Sequence, residues 1–301
     1  GSIMKKLISL LLTAAMLASF ALTGCGSGST ETTTAEGGQT TEETTQEETS
    51  SDDKKVFVYP ADQDVSNLLP SSGGSDSVAV MYKPLYDPLY IINNAETRYY
   101  LVDKLEVSDD GLNIKLHFNE NAKWHDGEPV TVDDLLFTLK YFTEGATKTS
   151  TTYTKINGED VVYEKVDDYN VNITLPSYLS KFVTTLGRLC IYPEHVFNGD
   201  VTTVETSDAA MQGIGNGPFK LKEWNKGENI IYEKNTDYYR GEAKIDELIM
   251  KIIPDSSAKE VAFQSGEVSC LRISSKEKYE KYSADENYEI YDTPECRVNY
   301  F

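Results

Sequence analysis

Three histidines, His117, His125 and His195, are the side chains best suited to proton transfer or metal ligation near neutral pH. No two of them stand four residues apart on a helix, the spacing a zinc protease needs, so they predict neither a metal centre nor a metalloenzyme. No Gly-x-Ser-x-Gly elbow, Ser-x-x-Lys pair or phosphate-cradling loop occurs. Carboxylates are abundant, 49 Asp and Glu against 28 Lys and Arg. In so acidic a chain most of them line a solvated face, and no catalytic pair separates from the rest. The net charge of −21 also excludes nucleic acid as the partner, because phosphate binding requires a basic surface. The residue types thus predict no catalysis, no cofactor and no metal.

The cysteine with the most specific setting is Cys25. Lys5 and Lys6 precede an apolar run from Leu7 to Leu22 that closes in Leu22-Thr23-Gly24-Cys25. A basic start, a short apolar core and small residues describe a secretory signal, and the run is too short for a membrane span. Leu-Thr-Gly-Cys resembles the lipobox of bacterial lipoproteins, which implies a diacylated Cys25 as the first residue of the mature chain. Gly1-Ser2 reads as a tag scar. Residues 26–53 are nearly all Gly, Ser, Thr, Gln, Glu and Asp, with no aromatic, and predict an acidic, self-repelling linker that reaches to about residue 55. Cys190, Cys270 and Cys296 remain, an odd number for an oxidising compartment. One disulfide with one free thiol is open to them, and the pair is not fixed by sequence.

The segments that must carry any site begin at Lys54. At 39% apolar and 26% charged residues the chain has a globular balance, and its length suffices for a sizeable core. Val56–Tyr59 predicts a strand, followed by a turn-rich connection from Asp62 to Ser77. A helix is expected from Ser77 toward Leu89, limited by Pro84. Leu105–Phe118 predicts a hairpin around Asp109-Asp110-Gly111, with Leu112, Ile114, Leu116 and Phe118 on one face and His117 on the other. Thr131, with Asp134 three residues on, caps a helix whose apolar stripe is Leu135, Leu136, Leu139 and Phe142. Two more hairpins are predicted, Val161–Val166 with Val171–Leu175, and Phe219–Trp224 with Asn229–Lys234. A helix from Asp255 to Ser265 ends at Gly266. Interleaved strand pairs and helices indicate an α/β or α+β chain with no single dominant sheet readable.

Five segments, in order, resemble one family. Trp124-His125-Asp126-Gly127-Glu128-Pro129-Val130-Thr131-Val132-Asp133-Asp134 is similar to the Trp-x-Asp-Gly-x-Pro-Val-Thr-x-x-Asp signature of the family 5 extracellular solute-binding proteins. These are the oligopeptide, dipeptide and nickel receptors of ABC importers. Pro193-Glu194-His195, Gly215-Asn216-Gly217-Pro218-Phe219, the stretch from Asn235 through Tyr238, Tyr239 and Gly241 to Asp246, and Phe263–Glu267 follow in family order. Physically these motifs read as scaffold: Gly127 and Pro129 shape a turn ahead of the Thr131 cap, Gly217-Pro218 opens a strand, and Tyr238-Tyr239 reads as packing.

The resemblance implies a type II periplasmic-binding-protein fold, α/β with a mixed sheet, hairpins and flanking helices. Residues 56–301 would form the first of two lobes, with the chain stopping near the first crossing and the second lobe absent. It also implies an extracytoplasmic receptor, held at the outer face of the cytoplasmic membrane through the diacylglyceryl Cys25. Such a receptor captures a small ligand, most readily an oligopeptide, and delivers it to ABC permease subunits. A monomer is the family expectation. By position and Gly-Ser chemistry, the ligand-facing stretch is Ser71, Ser72, Gly73, Gly74 and Ser75, which would pair its backbone with an extended ligand. The alternative reading is a single-lobe surface interaction or sensory module that does not transport.

Overall fold

The computed structural model describes residues 54–70, 76–93, 96–145 and 151–291. Within them two four-stranded sheets carry the architecture, and the chain passes from the first to the second and back. The first sheet has the order β1-β12-β11-β10. It comprises β1 (Val56–Ala61), β10 (Phe219–Asn225), β11 (Asn229–Lys234) and β12 (Glu247–Ile252). β1 and β12 run parallel, Val56 opposite Glu247 and Ala61 opposite Ile252, and the other pairs are antiparallel. β12 escapes an alternation reading because Leu248, Ile249 and Ile252 are all half-buried, on both faces. The buried Glu247 at its start is held by Lys54 and Lys222, each 2.7 Å away.

Between β1 and β10 the chain builds the second module. After helix α1 (Asp76–Tyr82) come β2 (Tyr90–Asn93) and β3 (Glu96–Tyr99), a two-stranded pair. The expected helix toward Leu89 stops at Tyr82, because Pro84 disfavours helical backbone at Lys83. The second sheet has the order β4-β5-β9-β8, from β4 (Val102–Val107), β5 (Asn113–Phe118), β8 (Val162–Lys165) and β9 (Asn170–Thr174). A short pair, β6 (Lys155–Ile156) and β7 (Glu159–Asp160), precedes β8. All three hairpins read from the sequence are present, two of them in this sheet, with Gly111 at φ +69° in the turn between β4 and β5. Ile114, Leu116 and Phe118 are buried, and His117 lies on the opposite face, as period two requires.

Helix α2 (Val132–Glu144) begins at Thr131, whose N–H donates to the Asp134 carboxylate at 2.8 Å. Its buried face is wider than the predicted stripe and includes Phe137, Thr138 and Tyr141. The return segment after α3 (Phe182–Gly187) supplies the cover: Phe197 stacks on Phe137, Tyr192 packs on Tyr141, and the Tyr192 N–H donates to Thr138 Oγ1. A single turn, α4 (Ala209–Gln212), leads to β10. Beyond β12, α5 (Ser256–Gln264) starts at Asp255, whose carboxylate accepts from the Ala258 N–H at 2.7 Å, and ends before Gly266 at φ +77°. Helix α6 (Lys276–Ser283) packs Tyr282 on Phe263 of α5. Among the described residues no helix is long and apolar enough to cross a membrane.

Candidate functional site

Each histidine serves the scaffold. His117 Nδ1 lies 2.6 Å from Asp103 on β4, and His195 Nε2 lies 2.8 Å from Asp126. His125 is wedged between two glycines. The Gly215 N–H donates to its Nδ1 at 3.0 Å, which places the ring proton on Nε2, where it donates to the Gly217 carbonyl at 3.1 Å. Burial pushes its pKa down to about 4, with Lys220, which donates to the His125 carbonyl, acting in the same direction; the ring is neutral at pH 7. Among the described residues no group of three or more His, Cys, Asp or Glu side chains is placed to hold a metal. Cys190 and Cys270 are both free thiols, so the two are not joined to each other, and Cys296 lies outside the described residues.

The Trp124–Asp134 stretch is a knot of turns. Gly127 takes φ +98°, and the Trp124 N–H closes the loop on the Glu128 carbonyl at 2.8 Å. The buried Asp134 carboxylate gathers three donors: Trp124 Nε1 at 3.1 Å, the Thr131 N–H at 2.8 Å and the Glu194 N–H at 2.9 Å. Burial raises this carboxyl to about 6, against the pull of those donors toward the ionised form. One side chain thereby ties the turn, the start of α2 and the Pro193-Glu194-His195 segment together. The spacing of the motif showed that it caps a helix; its second tie, to Glu194 sixty residues away, is visible only in the fold.

The candidate ligand-facing segments flank β1. The connection leaving its carboxyl end is pinned before it reaches residue 71. Asp64 accepts from Trp224 Nε1 at 3.1 Å and from the Gly227 N–H at 2.7 Å, and the Leu68 N–H donates to Ala210. Ser71, Ser72, Gly73, Gly74 and Ser75, the predicted ligand-facing residues, lie outside the described residues, as does Cys25. On the other flank of β1 the chain returns after α5. The Ser269 N–H donates to the Val58 carbonyl and Ser269 Oγ accepts from the Val58 N–H, at 2.8 and 2.9 Å. From there residues 270–274 are assigned to no strand, and the N–H groups of Cys270, Leu271, Ile273 and Ser274 have no acceptor among the described residues.

Against this run opens a cavity of about 710 Å³, within the range that encloses small ligands. Its wall is aromatic: Phe57, Phe263, Tyr279, Tyr282, Tyr288 and Tyr291. Phe263, Tyr282 and Tyr288 form a triad with ring centroids 5.0 to 5.7 Å apart. Arg272 and Glu289 are the charged residues of the lining. A cavity lined by aromatic side chains and by residues whose amides have no acceptor among the described residues suits an extended, partly apolar molecule that brings its own carbonyls. Sequence reasoning missed the cavity because the aromatic residues are spread from position 57 to 291 and meet only in the fold.

These features define a class, and comparison with known proteins agrees with it. The fold is that of a type II periplasmic binding protein. Over 77% of this chain it superimposes on an ABC transporter substrate-binding protein, CtaP of Listeria monocytogenes, with TM-score 0.70 and 27% identity, covering 47% of that chain. It also matches the oligopeptide-binding protein AppA of Bacillus subtilis in complex with a nonapeptide, with TM-score 0.59 and 27% identity over 71% of this chain and 43% of that one. Residues 96–301 match the model of the bacterial extracellular solute-binding proteins, family 5, and the chain belongs to that family, one of binding proteins and not of enzymes. In sequence it is 29% identical to AppA of B. subtilis over 229 residues, 68% of this chain and 41% of AppA. It is 24% identical to the dipeptide-binding protein of Escherichia coli K12 over 72% of this chain and 44% of that protein. The chain thus spans less than half the length of these relatives.

Proposed function

We propose that the chain is the first lobe of an extracytoplasmic solute receptor that binds a peptide and presents it to an ABC permease. The observation that carries the reading is an aromatic cavity lined by Cys270, Leu271, Ile273 and Ser274, whose amides have no acceptor among the described residues. Peptide main chain supplies the carbonyls those amides lack, and ring faces accept apolar side chains without prescribing sequence. The names of AppA and of the E. coli relative, oligopeptide- and dipeptide-binding proteins, support the same ligand class. Binding energy then favours a closed form over an open one, and the permease reads the closure.

A single lobe offers one wall of the site, so affinity is expected to be low. Titrating the protein with the tripeptide Ala-Phe-Ala is expected to shift the amide resonances of Cys270, Leu271, Ile273 and Ser274, with saturation only at millimolar concentration. Unmoved resonances would remove the cavity as a peptide site. Micromolar saturation would contradict the division of the site between two lobes.

The lipid anchor belongs to the same reading. A diacylated Cys25 gives two acyl chains, the number that holds a protein stably at a membrane where a single chain does not. Residues 26–55 would then act as the leash between anchor and lobe. Cys25→Ala is expected to release the protein into the medium or leave its signal uncleaved. Unchanged membrane attachment of that variant would sink the anchor.

A further inference from the structure

Tyr238 and Tyr239 look like packing residues in the sequence, yet both aim their hydroxyls at one buried carboxylate. Asp87 is 5% exposed, and its Oδ2 accepts from Tyr238 at 2.7 Å and from Tyr239 at 2.8 Å. Its N–H donates to Asn216 Oδ1 at 2.8 Å. Asp87 stands where the chain crosses from the first sheet into the β2–β9 module, and the return crossing lies against it. The Leu89 N–H donates to Leu189, and Pro88 bridges Cys190. Close packing fixes this joint: a Cβ on Gly187 would fall 2.4 Å from the Tyr90 ring. Three amides of the module, Tyr100, Leu101 and Val102, reach back across the joint to the carbonyls of Pro88 and Leu89, at 3.1 to 3.2 Å.

The phenol of Tyr238, its proton committed to Asp87, presents its oxygen to Arg240 Nη1 at 3.4 Å. The guanidinium of Arg240 in turn lies 4.1 Å over the ring of Tyr100, in the module. Asp87, Tyr238, Arg240 and Tyr100 therefore form one relay from the crossing at Asp87 through the β11–β12 connection to the segment that leads into β4. The last link is an exposed cation on an aromatic face, whereas another tie between the two parts, the His125 ring against Gly215 and Gly217, is partly buried and neutral. We propose that this relay is a latch: Arg240, oriented through Tyr238 by Asp87, holds the β2–β9 module closed on the first sheet at Tyr100, and the joint at residues 86–90 and 188–192 opens locally when the latch is removed. The inference stands independently of the ligand proposed above.

An exposed cation–π contact contributes modestly, enough to change a local opening equilibrium without unfolding the chain. The test is amide hydrogen exchange on the whole chain carrying Arg240→Ala, Tyr100→Leu, or both. Removing either partner is expected to speed exchange of the Tyr100, Leu101 and Val102 amides about fivefold. The double variant should exceed neither single one by much, since both break the same contact. Amides of β11 and β12 should keep their protection, and Arg240→Lys, which retains charge without the planar fork, should fall between. Unchanged exchange at residues 100–102 would overturn the latch. So would an equal gain in β11 and β12, which would mark general destabilisation.

Discussion

Gly215→Ala lowers stability by roughly 4 kcal/mol or more, at the extreme of what single substitutions do. Nothing about the local backbone predicts this, since Gly215 does not occupy the left-handed region. The cause is contact. A Cβ there would sit 1.9 Å from the Leu85 carbonyl oxygen and 3.1 Å from His125 Cε1. The first obstacle is main chain, which also accepts the N–H groups of Asn216 and Gly217 at 2.9 and 2.8 Å, so it cannot retreat without giving those bonds up. His125 would lose its partner on Nδ1 in the same movement. Thermal unfolding is the measurement, with a fall in Tm on the order of 10 °C expected for a chain of this size. Gly227→Ala is the contrast: its φ is +80° but no atom lies within 4 Å of the added carbon, so only left-handed strain of about 1 kcal/mol is expected. Equal losses from the two variants would refute the steric account.

The second large effect is the pH dependence of the His125 wedge. Its folded pKa of about 4 lies below the ordinary histidine value of 6.5, so the unfolded chain takes up this proton first on acidification. The wedge's contribution is therefore complete above pH 6.5 and is lost as pH falls toward 4, a change on the order of 2–3 kcal/mol. Asp134 works in the opposite sense. Its carboxyl, raised to about 6, binds its proton in the folded state first, so acid relieves a burial cost there. The two partly cancel in the natural chain, and the difference between variants isolates the histidine. His125→Gln retains a donor for Gly217 and cannot titrate. Its disadvantage, largest at pH 7, is expected to shrink by about 2–3 kcal/mol by pH 4 when unfolding in urea is compared across that range. Parallel stability curves for the two proteins would show that the ring does not change protonation between the folded and unfolded states.

Both effects fall on the Trp124–Asp134 and Gly215–Gly217 motifs, which carry the family likeness and which act as scaffold in this fold. The two turns hold each other: the His125 N–H donates to the Gly215 carbonyl at 2.8 Å, and Gly215 returns its own N–H to the imidazole. The histidine does structural work with the donor and acceptor that would otherwise make it a proton shuttle. Motif residues of this kind position the sheets, and the aromatic cavity beside β1 takes no lining residue from these two motifs.

Local chemistry is enough to write the hairpins, the Thr131 and Asp255 caps and the ends at Pro84 and Gly266, because each rests on contacts within a few residues. Even the scaffold role of the motif is legible, since Gly127 and Pro129 can be read as a turn before a cap. Three things are decided only by the tertiary structure. β12 becomes a central strand because β1 and β11 flank it, though its own residues show no alternation. Asp87 becomes the anchor of a joint because Tyr238 and Tyr239, some 150 residues on, bring their hydroxyls to it. The aromatic cavity exists because α6 and residues 287–291 fold back over the Cys270–Ser274 run. In each case the partners are distant in sequence, and a pairing of that kind leaves no period or spacing for the chain to display.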